Sequence, residues 1–391
     1  MHSHLLRPHR SLSFVKLGAL VAAWSLLQVR TARAENSISY KYADYRESND
    51  RMTIESHYGL VEQDLGASMH LKLLGVIDAI SGATPTGQPP PTPGAPVPLS
   101  QVTDRRKAWS ADLSRQFTGF NASVGFANSR EDDYVSNGWS LNTLTDFNQK
   151  NTELLLGVAG TDDDIKVFYQ SQWVKKRTVD LIAGVTQLLN PLTSVSFNLG
   201  YGHSTGYHAD PYRVIQDRRE VAPGVFLPLT FGENRPNERD KWTALALINR
   251  AFPEARGAAE ASYRFYHDSF GTTAHTVELA WFQKLSEHVT LRPVFRFYDQ
   301  NAADFYRIDI TGAGFNPTGR PVPAGPFYSA DYRLSAFRSY TYGLKAIWTF
   351  NSNWQVDAAF ERYEMRGKDS VTSPSVYPRA DIVNVGLRFS W

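Results

Sequence analysis

One short stretch gathers residues of the types that hydrolytic chemistry uses. In "GYGHSTGYHAD", Ser204 could serve as a nucleophile, His203 or His208 as its base and Asp210 as the acid that orients the base. The stretch lies where an alternating segment gives way to a long connection, and spacing within a loop fixes no geometry for proton transfer. A second candidate is the run Asp162, Asp163 and Asp164, whose oxygens could suit Ca²⁺. Successive side chains of an extended chain point to opposite sides, so this run reads as a solvated turn. With no cysteine in the chain, no His cluster, no phosphate-binding glycine loop and no nucleotide fingerprint, the sequence predicts no metal site, no cofactor and no enzyme.

The larger constellation is a set of charges spaced by two within otherwise apolar segments. In "SYTYGLKAIWTF", Tyr340, Tyr342, Leu344, Ala346, Trp348 and Phe350 form one face, and Lys345 interrupts the other. "VTLRPVFRF" sets Arg292 and Arg296 against Val289, Leu291, Phe295 and Phe297, and "WQVDAAF" sets Asp357 against Trp354, Val356 and Phe360. A period of two is the signature of strands with unlike faces. Extended along the chain, this parity assigns Lys41, Glu55, His57, Lys72, Asp112, Glu153, Arg264, Glu278, Arg292, Arg296, Lys345, Asp357, Glu361 and Arg388 to a common polar face.

The elements that must position these residues are strands from end to end. The pattern predicts sixteen, over 36–46, 52–62, 66–79, 104–117, 119–130, 136–148, 151–160, 177–189, 193–203, 239–250, 258–267, 273–285, 289–299, 335–350, 354–365 and 380–391, with those at 52–62, 136–148 and 239–250 the most weakly patterned. Fourteen or eighteen strands also fit. Every second connection is short, whereas 80–103, 161–176, 204–238, 300–334 and 366–379 are long. Strict alternation of this kind belongs to an up-and-down barrel with one rim of tight turns and one of large loops. The first long connection holds a run of prolines between Ser81 and Leu99, which predicts an extended, irregular loop.

What solvent meets the apolar faces follows from the rest of the sequence. Arg7, Arg10 and Lys16 precede the apolar run Leu17 to Val29, and "ARA" (Ala32, Arg33, Ala34) supplies small residues for cleavage. Residues 1–34 therefore read as a secretory signal, and residues 35–391 as the exported domain. Removing the signal takes away five basic residues and no acid, leaving 36 against 39 and a formal charge of −3, which disfavours a nucleic-acid partner. Within hydrocarbon every backbone donor and acceptor must bond inside the protein, so strands can span only as a closed sheet. A soluble sandwich or a periplasmic propeller is the competing architecture, but neither accounts for one-sided long loops. The expected fold is an all-β transmembrane antiparallel barrel. Its expected partners are outer-membrane lipid and lipopolysaccharide, with the oligomeric state left open.

The segment "DIVNVGLRFSW" places Val383, Val385, Leu387, Phe389 and Trp391 on one face. It resembles the assembly signal that the barrel-assembly machinery reads in the last strand of outer-membrane barrels, with Trp in place of the more usual Phe. Together with "DAISGATPT", "TVDLIAGVTQLLNP", "GYHADPYR", "YGLKAIW" and "DAAFERYEMRG", it makes the chain resemble a Gram-negative outer-membrane barrel family of unknown function. That resemblance implies the barrel and its location in the cell outer membrane, but no substrate, catalytic residue or cofactor. "VSNGW" (Val135 to Trp139) is faintly similar to the Ser-Asn-Gly stretch of outer-membrane phospholipases, yet Tyr134 stands where their histidine would be. The function expected is a passive, porin-like channel for small hydrophilic solutes. The alternative is a non-conducting surface barrel that works through its exterior loops.

Overall fold

The computed structural model describes residues 36–167, 172–317, 321–322 and 324–391. The secretory signal assigned to residues 1–34 lies outside them. The strands in chain order are β1 (Ser37–Glu47), β2 (Thr53–Gly66), β3 (Met69–Pro85), β4 (Leu99–Gln116), β5 (Phe120–Arg130), β6 (Tyr134–Phe147), β7 (Thr152–Lys166), β8 (Trp173–Asn190) and β9 (Thr193–Gly206), followed by the hairpin β10 (Val214–Ala222) and β11 (Val225–Gly232). After it come β12 (Glu238–Phe252), β13 (Gly257–Asp268), β14 (Thr273–Lys284), β15 (Val289–Gln300), β16 (Phe337–Thr349), β17 (Trp354–Gly367) and β18 (Arg379–Ser390).

All of these except β10 and β11 close one antiparallel barrel of sixteen strands, sealed where β1 pairs with β18 from Ser37↔Ser390 to Glu47↔Ala380. Closure leaves no unpaired edge. The weakly patterned segments are realised as β2, β6 and β12. The hairpin β10–β11 was not expected, because it lies within the long connection 204–238 and pairs only with itself.

The outer surface inverts the rule for soluble proteins. Phe126, Leu181, Leu199, Trp242, Leu344, Trp348 and Phe360 are all exposed, and Phe126 retains 58% of its accessible surface. Val383, Val385, Leu387 and Trp391 share this face, while Phe389 packs its ring on Trp354 and Trp391. A face this apolar requires acyl chains as its solvent.

The turns at 117–119, 148–151, 191–192, 253–256, 285–288 and 350–353 mark one rim. On the other, several strands run past the expected ends. Asp162, Asp163 and Asp164 belong to β7 and not to a turn, facing Arg177, Lys176 and Lys175 of β8 in register. Asp163 points inward and bonds Lys176 at 2.8 Å, whereas Asp162 points outward to Arg177 at 2.7 Å. The proline-rich connection narrows to 86–98, because β3 continues to Pro85 and β4 begins at Leu99.

The connections at this rim form a second folded region. Val97, Tyr332, Phe337, Met365, Val376 and Tyr377 build one buried apolar cluster from four different parts of the chain. Ile215, Ile310, Tyr328 and Ala330 build another, and Phe270, Ala303, Phe305 and Leu334 a third. Backbone bonds tie these loops together: Val214 donates to Thr86 O at 3.0 Å and Ile310 to Gln216 O at 2.9 Å. Residues following β9 thereby reach the end of β3, six strands away around the barrel, so the loops cross the mouth as a cap.

Candidate functional site

Below the cap, the parity of the wall turns charged side chains into the lumen. Lys345 on β16 pairs with Asp357 on β17 at 2.9 Å, and Arg388 on β18 approaches Glu62 on β2 at 3.7 Å. Arg292 on β15 meets Glu260 at 3.1 Å and Glu278 at 3.8 Å. Glu278 lies opposite Arg296 in register, and Lys72 opposite Asp112. Lys41 lies within electrostatic reach of Lys345, Asp357 and Glu361. Arg264 and Glu153 share the inward parity of their strands. Close packing also uses this face: a Cβ added to Gly386 would sit 2.5 Å from Asp357 Oδ2. The Lys345 and Glu278 side chains each keep 33% of their surface open, so the interior is not filled in the way an eight-stranded barrel would be.

Glu55 and His57 correct the expected set. Both lie on the outer face, where His57 Nδ1 is 2.7 Å from the Tyr40 hydroxyl and Glu55 is opposite Asp44. The physical reason is local. Near the cap the inner face of β2 is apolar, with Ile54 packing against Met52, Ile80 and Val102, so apolar residues there mark the inside.

The hydrolytic candidates are separated by the same parity. His203 turns outward and its Nδ1 lies 2.8 Å from Asp240 Oδ1. Ser204 turns inward, with its hydroxyl 2.8 Å from His208 Nε2, while His208 Nδ1 is 3.0 Å from Gly206 O. Burial pushes His208 down to about 3, and Lys176 and Arg239 add to the shift. Ser204 is only 4% exposed and Asp210 is engaged elsewhere, so this pair holds the base of the cap and has no open approach for a substrate. Gly206 makes the turn into the cap at a φ of +109°, where a Cβ would lie 2.2 Å from Lys175 O. Ser136 of "VSNGW" donates to Asp163 Oδ1 at 2.6 Å, alongside the Tyr134 hydroxyl at 2.6 Å to the other oxygen.

The most concentrated charge was not foreseen. Asp210, Glu233 and Asp331 interleave with Arg213, Arg235 and Arg333 inside the cap. Arg333 Nη2 reaches Asp210 and Asp331 at 2.5 Å each, Arg235 Nη2 reaches Glu233 at 2.7 Å and Asp331 at 3.0 Å, and Arg213 Nε lies 3.4 Å from Asp331. Burial alone would raise the Asp331 carboxyl, but Arg333, Arg213 and Arg235 hold it well below the usual carboxylate range. Burial dominates at Glu233 and raises it despite Arg235. Arg213 also donates to Pro85 O at 2.5 Å and to Thr84 Oγ1 at 3.3 Å. Two of the phrases that carry the family resemblance, "SGATPT" and "GYHADPYR", therefore meet in space. No local spacing announces a network that joins residues so far apart in sequence.

Solved structures share the architecture at low identity. CdiB from Acinetobacter baumannii matches with a TM-score of 0.50 and 8% identity, over 91% of this chain and 60% of that one. A mutant of the ferric enterobactin receptor PfeA of Pseudomonas aeruginosa matches at 0.45 and 13%, over 91% and 60%. OccK2 (OpdF) of Pseudomonas aeruginosa, solved with glucuronate, matches at 0.43 and 10%, over 91% and 98%. The chain thus spans about three-fifths of the length of CdiB and of the enterobactin receptor. No curated protein matches the sequence. The family model described as "Protein of unknown function (DUF3570)" matches residues 17–175 and 168–383, nearly the whole barrel, and the chain belongs to that family.

Proposed function

We propose that the protein is a passive outer-membrane channel for small hydrophilic solutes, with lumenal charge as its filter and the folded cap as its constriction. The observation that carries this reading is side-chain exposure inside the wall: Lys345, Glu278 and Arg388 keep about a third of their side-chain surface open within sixteen strands. Porin-scale barrels leave room for water, and charged rings inside them set solute preference. In this reading the cap narrows the entrance and leaves the barrel below open to solutes.

Reconstitution in a planar bilayer is expected to give stepwise conductance, and Lys345→Glu is expected to shift its ion preference toward cations. Replacing 207–237 and 301–336 with short turns is expected to raise the conductance. A membrane that stays sealed for both the intact and the trimmed protein would defeat the channel reading.

A surface-binding barrel is the second reading, and the hairpin supports it. Val221, Val225, Phe226 and Leu227 at its tip are about half exposed. In that case trimming the hairpin would abolish surface attachment or partner capture and leave conductance at zero.

A further inference from the structure

We propose that Asp104, Glu131 and Asp133 form a binding site for a divalent cation, Ca²⁺ by its size, which clamps the β5–β6 turn to β4 at the inner side of the capped rim. Asp104 lies on β4, opposite Ile80 of β3 and on the inward face. Glu131 and Asp133 lie in the connection between β5 and β6, which Glu131 N closes by donating to Tyr134 O at 2.8 Å. One oxygen from each carboxylate falls within 4.8 Å of the other two. Ligands on opposite sides of a Ca²⁺ ion stand about 4.6–5.2 Å apart, so three oxygens this close can share one ion, and Ca²⁺ tolerates an irregular all-oxygen set more readily than Mg²⁺ does. The donors are all oxygens, the set that a hard cation selects.

Proximity of acids alone would carry little weight; one unpartnered oxygen on each of two buried carboxylates, Asp104 and Glu131, carries the argument. Asp104 is 5% exposed and Glu131 8%. Asp104 Oδ1 accepts from Arg105 N at 2.6 Å, but Asp104 Oδ2 and Glu131 Oε2 accept no hydrogen bond among the described groups. Buried carboxylate oxygens are ordinarily satisfied, and two orphans in one acidic cluster call for a positive partner. The nearby guanidinium of Arg106 attracts Glu131 but places its hydrogen bonds on Asp78 Oδ2, with its Nε at 2.5 Å. Asp78 itself brings a further acid to the neighbourhood, so the local excess is negative. The rival arrangement is a proton shared between Asp104 and Glu131, consistent with burial and then Asp104 pushing Glu131 up to about 8. Such a clamp would serve a conducting or a sealed barrel alike.

The test uses the full-length protein, purified in detergent and stripped with a chelator. Calorimetric titration with CaCl₂ at pH 7 is expected to show a single saturable site, and Ca²⁺ is expected to raise the temperature at which the barrel loses its compact gel mobility. Asp104→Asn combined with Glu131→Gln is expected to weaken binding at least 100-fold. Asp162→Asn, which removes an outward carboxylate, is expected to leave binding unchanged and so separates the site from cations held by lipopolysaccharide. Should the double variant fail to fold, the Ca²⁺ titration of the wild-type protein still decides. Saturable, stoichiometric uptake supports the site, and absence of uptake at 10 mM Ca²⁺ with no effect of chelation overturns it in favour of the shared proton.

Discussion

The wall and the cap of this molecule are stabilised in opposite ways. In the wall the large apolar side chains are exposed, as at Leu199 and Trp348, and charges such as Lys345, Asp357 and Arg292 point inward. In the cap Tyr328, Phe270 and Ile215 are buried, and the charges of Asp331 and Arg213 are buried with them. The wall depends on its solvent and on closure of its hydrogen bonds, so a substitution there is judged by which side it faces. The cap depends on a conventional core and a matched ionic network, so a substitution there is judged by the partner it strands. Damage to either region should therefore leave a different signature.

The sharpest contrast is expected from Asp331→Asn, which leaves Arg333, Arg213 and Arg235 short of a buried partner. Breaking such a network costs about 3–5 kcal/mol, so protease cleavage of the capping loops should rise roughly 10²–10⁴-fold while the barrel keeps its strand content. If the cap stays resistant, the network does not hold it. Next in size is Leu199→Arg, at the middle of β9 on the lipid side. It should destabilise folding into vesicles by about 2–4 kcal/mol. Ser196→Arg, on the lumenal face of the same strand, should cost clearly less.

A pH effect should be confined to the cap. His208 is held at about 3 against an ordinary 6.5, so opened loops bind a proton that the folded cap refuses. Its contribution is intact above pH 6.5 and is lost progressively as the pH falls from there toward 3. Hydrogen exchange of residues 207–213 should accelerate across that window, and His208→Gln should flatten the dependence. The smallest effect is expected from Asp162→Asn. Its pair with Arg177 is largely exposed, and its loss should change stability by less than about 1 kcal/mol.

The same contrast explains what the sequence revealed. The wall was legible because alternation is local: Phe197 and Leu199 declare their face within a few residues. That logic held for Lys345, Arg292 and Asp357, and failed at Glu55 and His57, where the cap lends the inner wall an apolar lining through Ile54 and Met52. The cap itself was opaque, because Arg213 finds Pro85 and Asp331 across more than a hundred residues and no periodicity records such pairings. The acids of "REDDY", Arg130 to Tyr134, gave no ligand spacing either, since Asp104 comes from a different strand. His203 and Ser204 are adjacent in sequence, but the strand sends them to opposite faces, which no spacing within a loop could reveal.

Alternate residues of the wall should meet lipid and water in turn, and the absence of native cysteine makes this directly measurable. Single cysteines at Leu344 and Lys345, in barrels reconstituted into vesicles, can be challenged with a membrane-impermeant thiol reagent and a lipid-attached quencher. The expected result is that a label at 344 is quenched from within the bilayer while the cysteine at 345 reacts from water. Equal reactivity at both positions, or the reverse assignment, would contradict it.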